Sequence, residues 1–232
     1  MRPTVIAFNR VSQLGARACQ RIGHGGASAL APGNTLPSFD AALEVGIDMV
    51  EFDVRPWRGE LVLAHTILHA SAGRSVRLQD ARAHLASRRF RDVGLNVDVK
   101  HIGYERVLLD ELERAHLLER TLLSSQLPAA LDRLRELEPR AQVGISIGGW
   151  LPRVSHRWSD WRARVLVGLA TRRWDVLMVQ YGLVDSRLLK AVEDRSGLLY
   201  AWTVNDRGSI QSLRGLGVHG IATADPRLFA PN

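Results

Sequence analysis

Cysteine is nearly absent. Cys19 is the single one in 232 residues, so no internal disulfide can form and a disulfide-stapled scaffold is excluded. Lysine is almost as scarce, with only Lys100 and Lys190 among 31 basic residues. Aromatic residues make up 6% of the chain, and no window approaches the run of about 18 apolar residues that a membrane-spanning helix needs. The first twenty residues do not read as a signal peptide either, because Arg10 and Arg17 leave only short apolar stretches between them. These absences point to a soluble chain in a reducing compartment, and the expected location is the cytoplasm.

What is present is apolar residue in quantity. At 46% it suffices for a substantial core, which excludes disorder and collagen-like repeats. The formal charge of +7 invites a nucleic-acid reading, but the arginines are spread along the chain and no block of five like charges occurs. The expected partner is therefore a small acidic molecule and not a nucleic acid, and the oligomeric state is left open. Arginine and lysine are not interchangeable at a site, so the rarity of lysine singles out Lys100.

Short β-type runs alternate with helical patterns from end to end. Strands are predicted at Arg21–His24, Met49–Val54, Leu61–His65, Leu95–Lys100, Thr121–Ser124, Gln142–Ile147, Val176–Gln180, Leu198–Val204 and Gly220–Thr223. Amphipathic helices are predicted at Thr35–Val45, Tyr104–Leu117, Ala129–Leu137, Ser186–Glu193 and Arg207–Leu216. In the first of these Asn34 or Thr35 can cap, and Gly46 can close. Eight main strands, with Leu61–His65 as a short extra one, predict an α/β fold of the (β/α)₈ TIM-barrel type, a single domain over 1–232 with residues 1–20 as an amino-terminal extension. The segment Trp150–Trp174 interleaves tryptophan with arginine. It reads as an ordinary barrel helix, with peripheral membrane contact through 150–174 as the alternative.

Three patterns compete for the chemistry. Gly215-Leu216-Gly217-Val218-His219-Gly220 is a literal G-x-G-x-x-G, but it follows a helix and opens a strand, the reverse of a dinucleotide site. Gly144-Ile145-Ser146-Ile147-Gly148 is a literal G-x-S-x-G, followed by Asp175, Asp185 and His219 in hydrolase order. A nucleophile elbow needs a sharp strand-to-helix turn at the serine, whereas Ser146 lies inside an alternating strand. The third pattern is Glu51-Phe52-Asp53, His65 and Asp98-Val99-Lys100. Residues two apart on a strand share a face, so Glu51 points with Asp53 and Asp98 with Lys100. Each pair falls at the C-terminal end of its strand, where barrels place chemistry. Three carboxylates suit a hard divalent cation such as Mg²⁺ or Ca²⁺, and a lysine beside them suits an anionic substrate. A buried ion-pair network without catalysis is the other reading.

The stretch GHGGASALAPGNTLPSFDAALEVGIDMVEFDVRPWRGELVLAH resembles the amino-terminal signature of the glycerophosphodiester phosphodiesterases, which runs HRG, ENT, E-x-D, HD. Asp98-Val99-Lys100 occupies the place of the family's E-x-K, Ala201-Trp202-Thr203-Val204-Asn205-Asp206 that of its WTVND, and GVHGIATADP resembles its GVDGIITDxP. The resemblance implies hydrolysis of glycerophosphodiesters or lysophospholipid-like substrates. It implies a divalent metal, Mg²⁺ or Ca²⁺, held by Glu51, Asp53 and Asp98, with His24 and His65 as the acid/base pair. Lys100 is then a phosphate contact and Trp202 a wall of the substrate pocket. The attacking oxygen is that of water or of a neighbouring substrate hydroxyl. Against that pattern Gly25 stands for arginine, Gly33 for glutamate, Thr66 for aspartate and Asp98 for glutamate, and the stretch from Thr66 to Asn96 is short. The other readings are a serine esterase centred on Ser146 and a non-catalytic barrel that binds phosphate. His69 is expected in a loop, and His84, His101, His116, His156 and His219 on the surface or in packing.

Overall fold

The computed structural model describes residues 19–73, 75–148 and 157–230, with side chains from 160 onward in the last segment. The side chains of Trp150, His156 and Trp158 and most of the amino-terminal extension lie outside the described residues. Nine strands form one sheet: β1 (Gln20–Gly23), β2 (Met49–Trp57), β3 (Glu60–Leu63), β4 (Gly94–Val99), β5 (Thr121–Ser125), β6 (Gln142–Ile147), β7 (Val176–Gln180), β8 (Leu198–Trp202) and β9 (Gly220–Thr223). Eight of them run parallel, and the pairing of β1 with both β2 and β9 closes the ring into a (β/α)₈ barrel. Strand β3 is the exception, an antiparallel return that pairs only with the upper half of β2.

The helices are α1 (Leu36–Val45), α2 (Ile67–Ser71), α3 (Leu78–Leu85), α4 (Glu105–Arg114), α5 (Pro128–Leu137), α6 (Arg157–Ala170), α7 (Ser186–Glu193) and α8 (Arg207–Leu216). Two of them, α2 and α3, fall in the stretch after Thr66 where the periodicity announces no helix. Thr66 caps α2 by accepting from the His69 N–H, so His69 sits on a helix and not in a loop, a correction to the expectation. Residue His65 likewise lies just beyond β3, not within it.

Two apolar layers result from strand alternation. Val50, Phe52 and Val54 of β2 and Leu95, Val97 and Val99 of β4 face the helices, in the large core. Ile22, Met49, Leu122, Val176, Met178, Tyr200 and Ala222 fill the barrel interior as a separate cluster. The same alternation carries Glu51 and Asp53 up the inner face from Met49, and Asp98 up from Asn96. The register then sets Asp53 beside Asp98, and Asp98 beside Ser124.

The loop after β1 is clamped to α1. Thr35 caps the helix through a reciprocal bond with Ser38, and the Ser38 hydroxyl donates to the Gly25 carbonyl at 2.8 Å. Gly26 has φ +78°, and a Cβ there would lie 2.6 Å from the Ser38 carbonyl oxygen. Gly26→Ala should therefore cost about 3 kcal/mol, from left-handed strain together with overpacking. Denaturant unfolding would measure this, and a loss below about 0.5 kcal/mol would show that the loop relaxes freely.

Trp161 and Trp174, in the 157–174 region, each carry an arginine over the ring. Trp174 is buried beneath Arg173, whose guanidinium stacks on its ring at 4.8 Å and also pairs with Asp132. Trp161 packs against the core with Arg164 at 5.1 Å from its ring. No helix among the described residues is long and apolar enough to cross a membrane.

Candidate metal and phosphodiester site

At the C-terminal mouth of the barrel one cleft is lined by His24, Glu51, His65, Asp98, Lys100 and Trp202, over a floor of Asn96, Ser124, Ser146 and Met178. All seven residues singled out in the sequence meet here, because Asp53 lies between them: its carboxylate is 2.8 Å from Lys100 Nζ and 3.3 Å from His65 Nδ1. Lys100 Nζ also reaches Asp98 Oδ2 at 2.6 Å. The oxygens of Glu51, Asp53 and Asp98 converge within 4.8 Å of one another, and no other such group of acids, histidines or cysteines occurs among the described residues.

Each carboxylate is held by a different device. Glu51 Oε2 accepts from the backbone N–H of Gly25 at 2.7 Å, while His24 Nε2 stands off at 3.9 Å. Asp53 is gripped by Asn34, whose amide donates to Oδ2 at 2.8 Å while its oxygen accepts from the Asp53 N–H at 2.9 Å. Because Thr35 takes the helix cap, Asn34 is released for this role, adopting φ +60°. Sequence reasoning treated Asn34 only as a capping candidate, and the site role was missed. Its signal was the Asn34-Thr35 match to the family's ENT. Tyr104 was also missed. Its buried hydroxyl donates to the Val54 carbonyl and accepts from the Lys100 N–H at 3.1 Å, fixing the backbone from which Lys100 projects.

The electrostatics follow from three acids facing one lysine. Burial raises Glu51 well above the carboxylate range, reinforced by Asp53 and Asp98. Burial likewise raises Asp98, with Lys100 opposing it. For Asp53 burial acts in the same sense, but the His65 hydrogen bond, Lys100 and Asn34 outweigh it and hold the group well below the usual range. Lys100 is raised, since Asp98 and Asp53 overcome its burial. His24 is lowered, chiefly by burial, against the pull of Asp53.

A divalent cation fits this arrangement. The donors are all oxygen, the mutual repulsion and burial that raise Glu51 and Asp98 are what a cation would relieve, and Asp98 Oδ1 is buried without any hydrogen-bond partner. An unpaired buried carboxylate oxygen is costly unless a cation meets it.

The competing motifs are not assembled. Ser146 is buried on the inner face of β6, and no histidine among the described residues is hydrogen-bonded to it. Asp175 pairs with Arg135 and the Val143 N–H, and Asp185 caps α7. His219 lies at the opposite end of the barrel, where its Nδ1 accepts from the Leu199 N–H. Gly217 closes α8 at φ +95°, so the G-x-G-x-x-G is a helix end.

The profile described as the glycerophosphoryl diester phosphodiesterase family matches residues 24–81 and 89–228. The chain belongs to that family. It is accordingly an enzyme of the phosphodiesterase class. A glycerophosphodiester phosphodiesterase of Arabidopsis thaliana is 26% identical over 96% of this chain and 77% of the relative. A phosphodiesterase of Oleispira antarctica, solved with the product sn-glycerol-3-phosphate, superposes with TM-score 0.74 at 20% identity, over 92% of this chain and 96% of that one. The glycerophosphodiester phosphodiesterase of Agrobacterium tumefaciens gives TM-score 0.71 at 17% identity, over 92% and 100%. Against the family's HRG and ENT, the two glycines abut: a Cβ on Gly25 would lie 3.5 Å from Gly33 Cα.

His219 also gives a pH prediction outside the cleft. Burial lowers its pKa, so below about 6.5, the ordinary histidine value, the unfolded chain binds more protons than the folded one and stability falls as pH falls. His219→Asn, which keeps an acceptor for the Leu199 N–H, should flatten the dependence of unfolding free energy on pH between about 5 and 7. Identical slopes for the two proteins would reject this contribution.

Proposed function

We propose that the protein hydrolyses glycerophosphodiesters to an alcohol and glycerol 3-phosphate, with Glu51, Asp53 and Asp98 holding a divalent cation and His24 and His65 moving protons. The observation that carries this reading is the meeting of three carboxylates, one of them with an unpaired buried oxygen, beside a lone lysine and between two histidines. The cation, Mg²⁺ or Ca²⁺, would neutralise charge on the phosphoryl oxygens as the new bond to phosphorus forms. Lys100 adds a fixed positive charge for the same anion, and its raised pKa keeps it protonated.

His24 is neutral at neutral pH, since burial lowers its pKa, and a neutral imidazole can accept the proton of the attacking oxygen. His65 is anchored through Nδ1 on Asp53, which orients the ring so that its other nitrogen serves the leaving oxygen. The attacking O–H is broken and an O–P bond made, while the P–O bond to the alcohol breaks and that oxygen takes a proton. Trp202 lines the same cleft and supplies a wall for the substrate.

Glycerol 3-phosphate release from glycerophosphocholine tests the reading directly. Activity should vanish in chelator and return with Mg²⁺ or Ca²⁺. Full activity in chelator, together with labelling of Ser146 by a serine-directed phosphonate, would replace this reading by the esterase.

A further inference from the structure

Seven large apolar side chains are exposed among the described residues, and six of them lie around the cleft. Leu30 follows β1, Ile67 and Leu68 form the start of α2 beyond β3, Ile102 and Val107 follow β4, and Leu127 follows β5. Leu68 is 79% exposed, Ile67 60% and Ile102 51%, which is far more than a packed loop residue shows. Strands β1, β2, β4 and β5 are consecutive neighbours in the barrel, and β3 hangs from β2. The six residues therefore occupy successive loops and the helix start beside them, an arc over one half of the mouth. The seventh, Val167, is near the end of α6, toward the opposite end of the barrel.

Charge along this arc is one-sided. The stretches 24–39, 61–79, 99–104 and 121–131 contain no Asp or Glu, although acids are frequent elsewhere in the chain. The bases nearby are exposed: Arg58 at the tip of the β2–β3 hairpin, where it stacks on Trp57 at 5.7 Å, and Arg106 on α4. Of the acids adjoining these stretches, Glu105 is buried against the Gly103 N–H and Glu60 stands 3.8 Å from Arg77, so the apolar rim carries exposed arginines with little opposing charge and complements a surface of acyl chains beneath phosphate headgroups.

We propose that this arc seats the protein on a phospholipid bilayer, with Ile67, Leu68 and Ile102 entering the headgroup layer. The face is distinct from the 157–174 region, whose described tryptophans are packed inward. Because the arc surrounds the mouth of the cleft, the docked protein presents Asp98 and Lys100 to phosphodiesters at the membrane surface. That consequence rests on the proposed function, whereas the docking itself does not.

The test is co-sedimentation with vesicles of phosphatidylcholine, with and without phosphatidylglycerol, read without any turnover. Wild type should bind both, more tightly to the anionic vesicles and less so at high salt. Leu68→Asp and Ile102→Asp should each weaken binding at least about tenfold, given the apolar area withdrawn from the interface. Val167→Asp should leave it unchanged, and all three should hydrolyse soluble glycerophosphocholine like wild type. Leu68→Ser and Ile102→Ser provide the same reading should the acidic variants misfold. Failure of wild type to bind either vesicle, or equal binding by the arc variants, overturns the proposal. So does a concentration-dependent dimer that Leu68→Asp dissociates, which would make the arc a contact between copies. Loss of glycerophosphocholine turnover in wild type with vesicle binding intact would instead count against the proposed function alone.

Discussion

Replacing Asp53 by alanine should abolish divalent-cation binding and lower turnover by about 10³-fold, the equivalent of the several kcal/mol of transition-state stabilisation such a cation supplies. The expectation rests on the position of Asp53 at the centre of the cleft. Its two oxygens are shared among Lys100, His65 and Asn34. Its removal leaves Lys100 paired with Asp98, so Glu51 is the one carboxylate without a cationic partner, and a single carboxylate holds a divalent ion weakly. Calorimetric titration of Mg²⁺ and Ca²⁺ into wild type and variant measures the first effect. Glycerol 3-phosphate release measures the second. Ion binding raises the melting temperature of whichever form binds it, so the wild-type melting temperature should rise with added cation and that of Asp53→Ala should not. Undiminished cation affinity in Asp53→Ala would place the ion elsewhere.

His24→Ala and His65→Ala should each reduce turnover by about 10² or more while cation affinity survives. The separation follows from the geometry. His24 Nε2 is 3.9 Å from Glu51, too far to hold it, and Glu51 keeps its bond from the Gly25 N–H. Loss of His65 takes one hydrogen bond from Asp53 but leaves those from Lys100 and Asn34. Turnover measured at saturating cation therefore isolates proton transfer. Near-wild-type turnover in both variants would remove the two histidines from the mechanism, leaving the metal assignment intact. A fall in cation affinity parallel to the fall in turnover would make them supports of the carboxylates instead.

The barrel was legible because its signals are local. Most strands announce themselves by an apolar run unbroken by proline, Pro56 falling only in the far end of β2, and helices such as α1 and α8 carry a cap at one end and a glycine at the other. Helices α2 and α3 were not legible, being five and eight residues long with too little periodicity to stand out. The pairing of charges within a strand was also legible, since a period of two places Glu51 with Asp53 and Asp98 with Lys100 on one face.

Other parts of the site have no local signature. Asn34 and Thr35 are equally good caps by residue type, and only the approach of β2 to the loop after β1 gives Asn34 a better partner in Asp53. Tyr104 reads as the first residue of a helix, and its buttressing of Lys100 depends on the Val54 carbonyl fifty residues earlier.

By itself the sequence determined the alternation of strands and helices, the side of each strand on which acid and base lie, and the end of the barrel they occupy. Those follow from backbone periodicity, which acts over a few residues. Only the tertiary structure decided that Asp53 and Asp98 face each other across the β2–β4 ladder, that Asp98 Oδ1 is left unpaired, and that Ser146, Asp175 and His219 never meet. Register between strands separated by some forty residues is set by how the whole ring closes and packs, and no stretch of chain short enough to read alone contains that information.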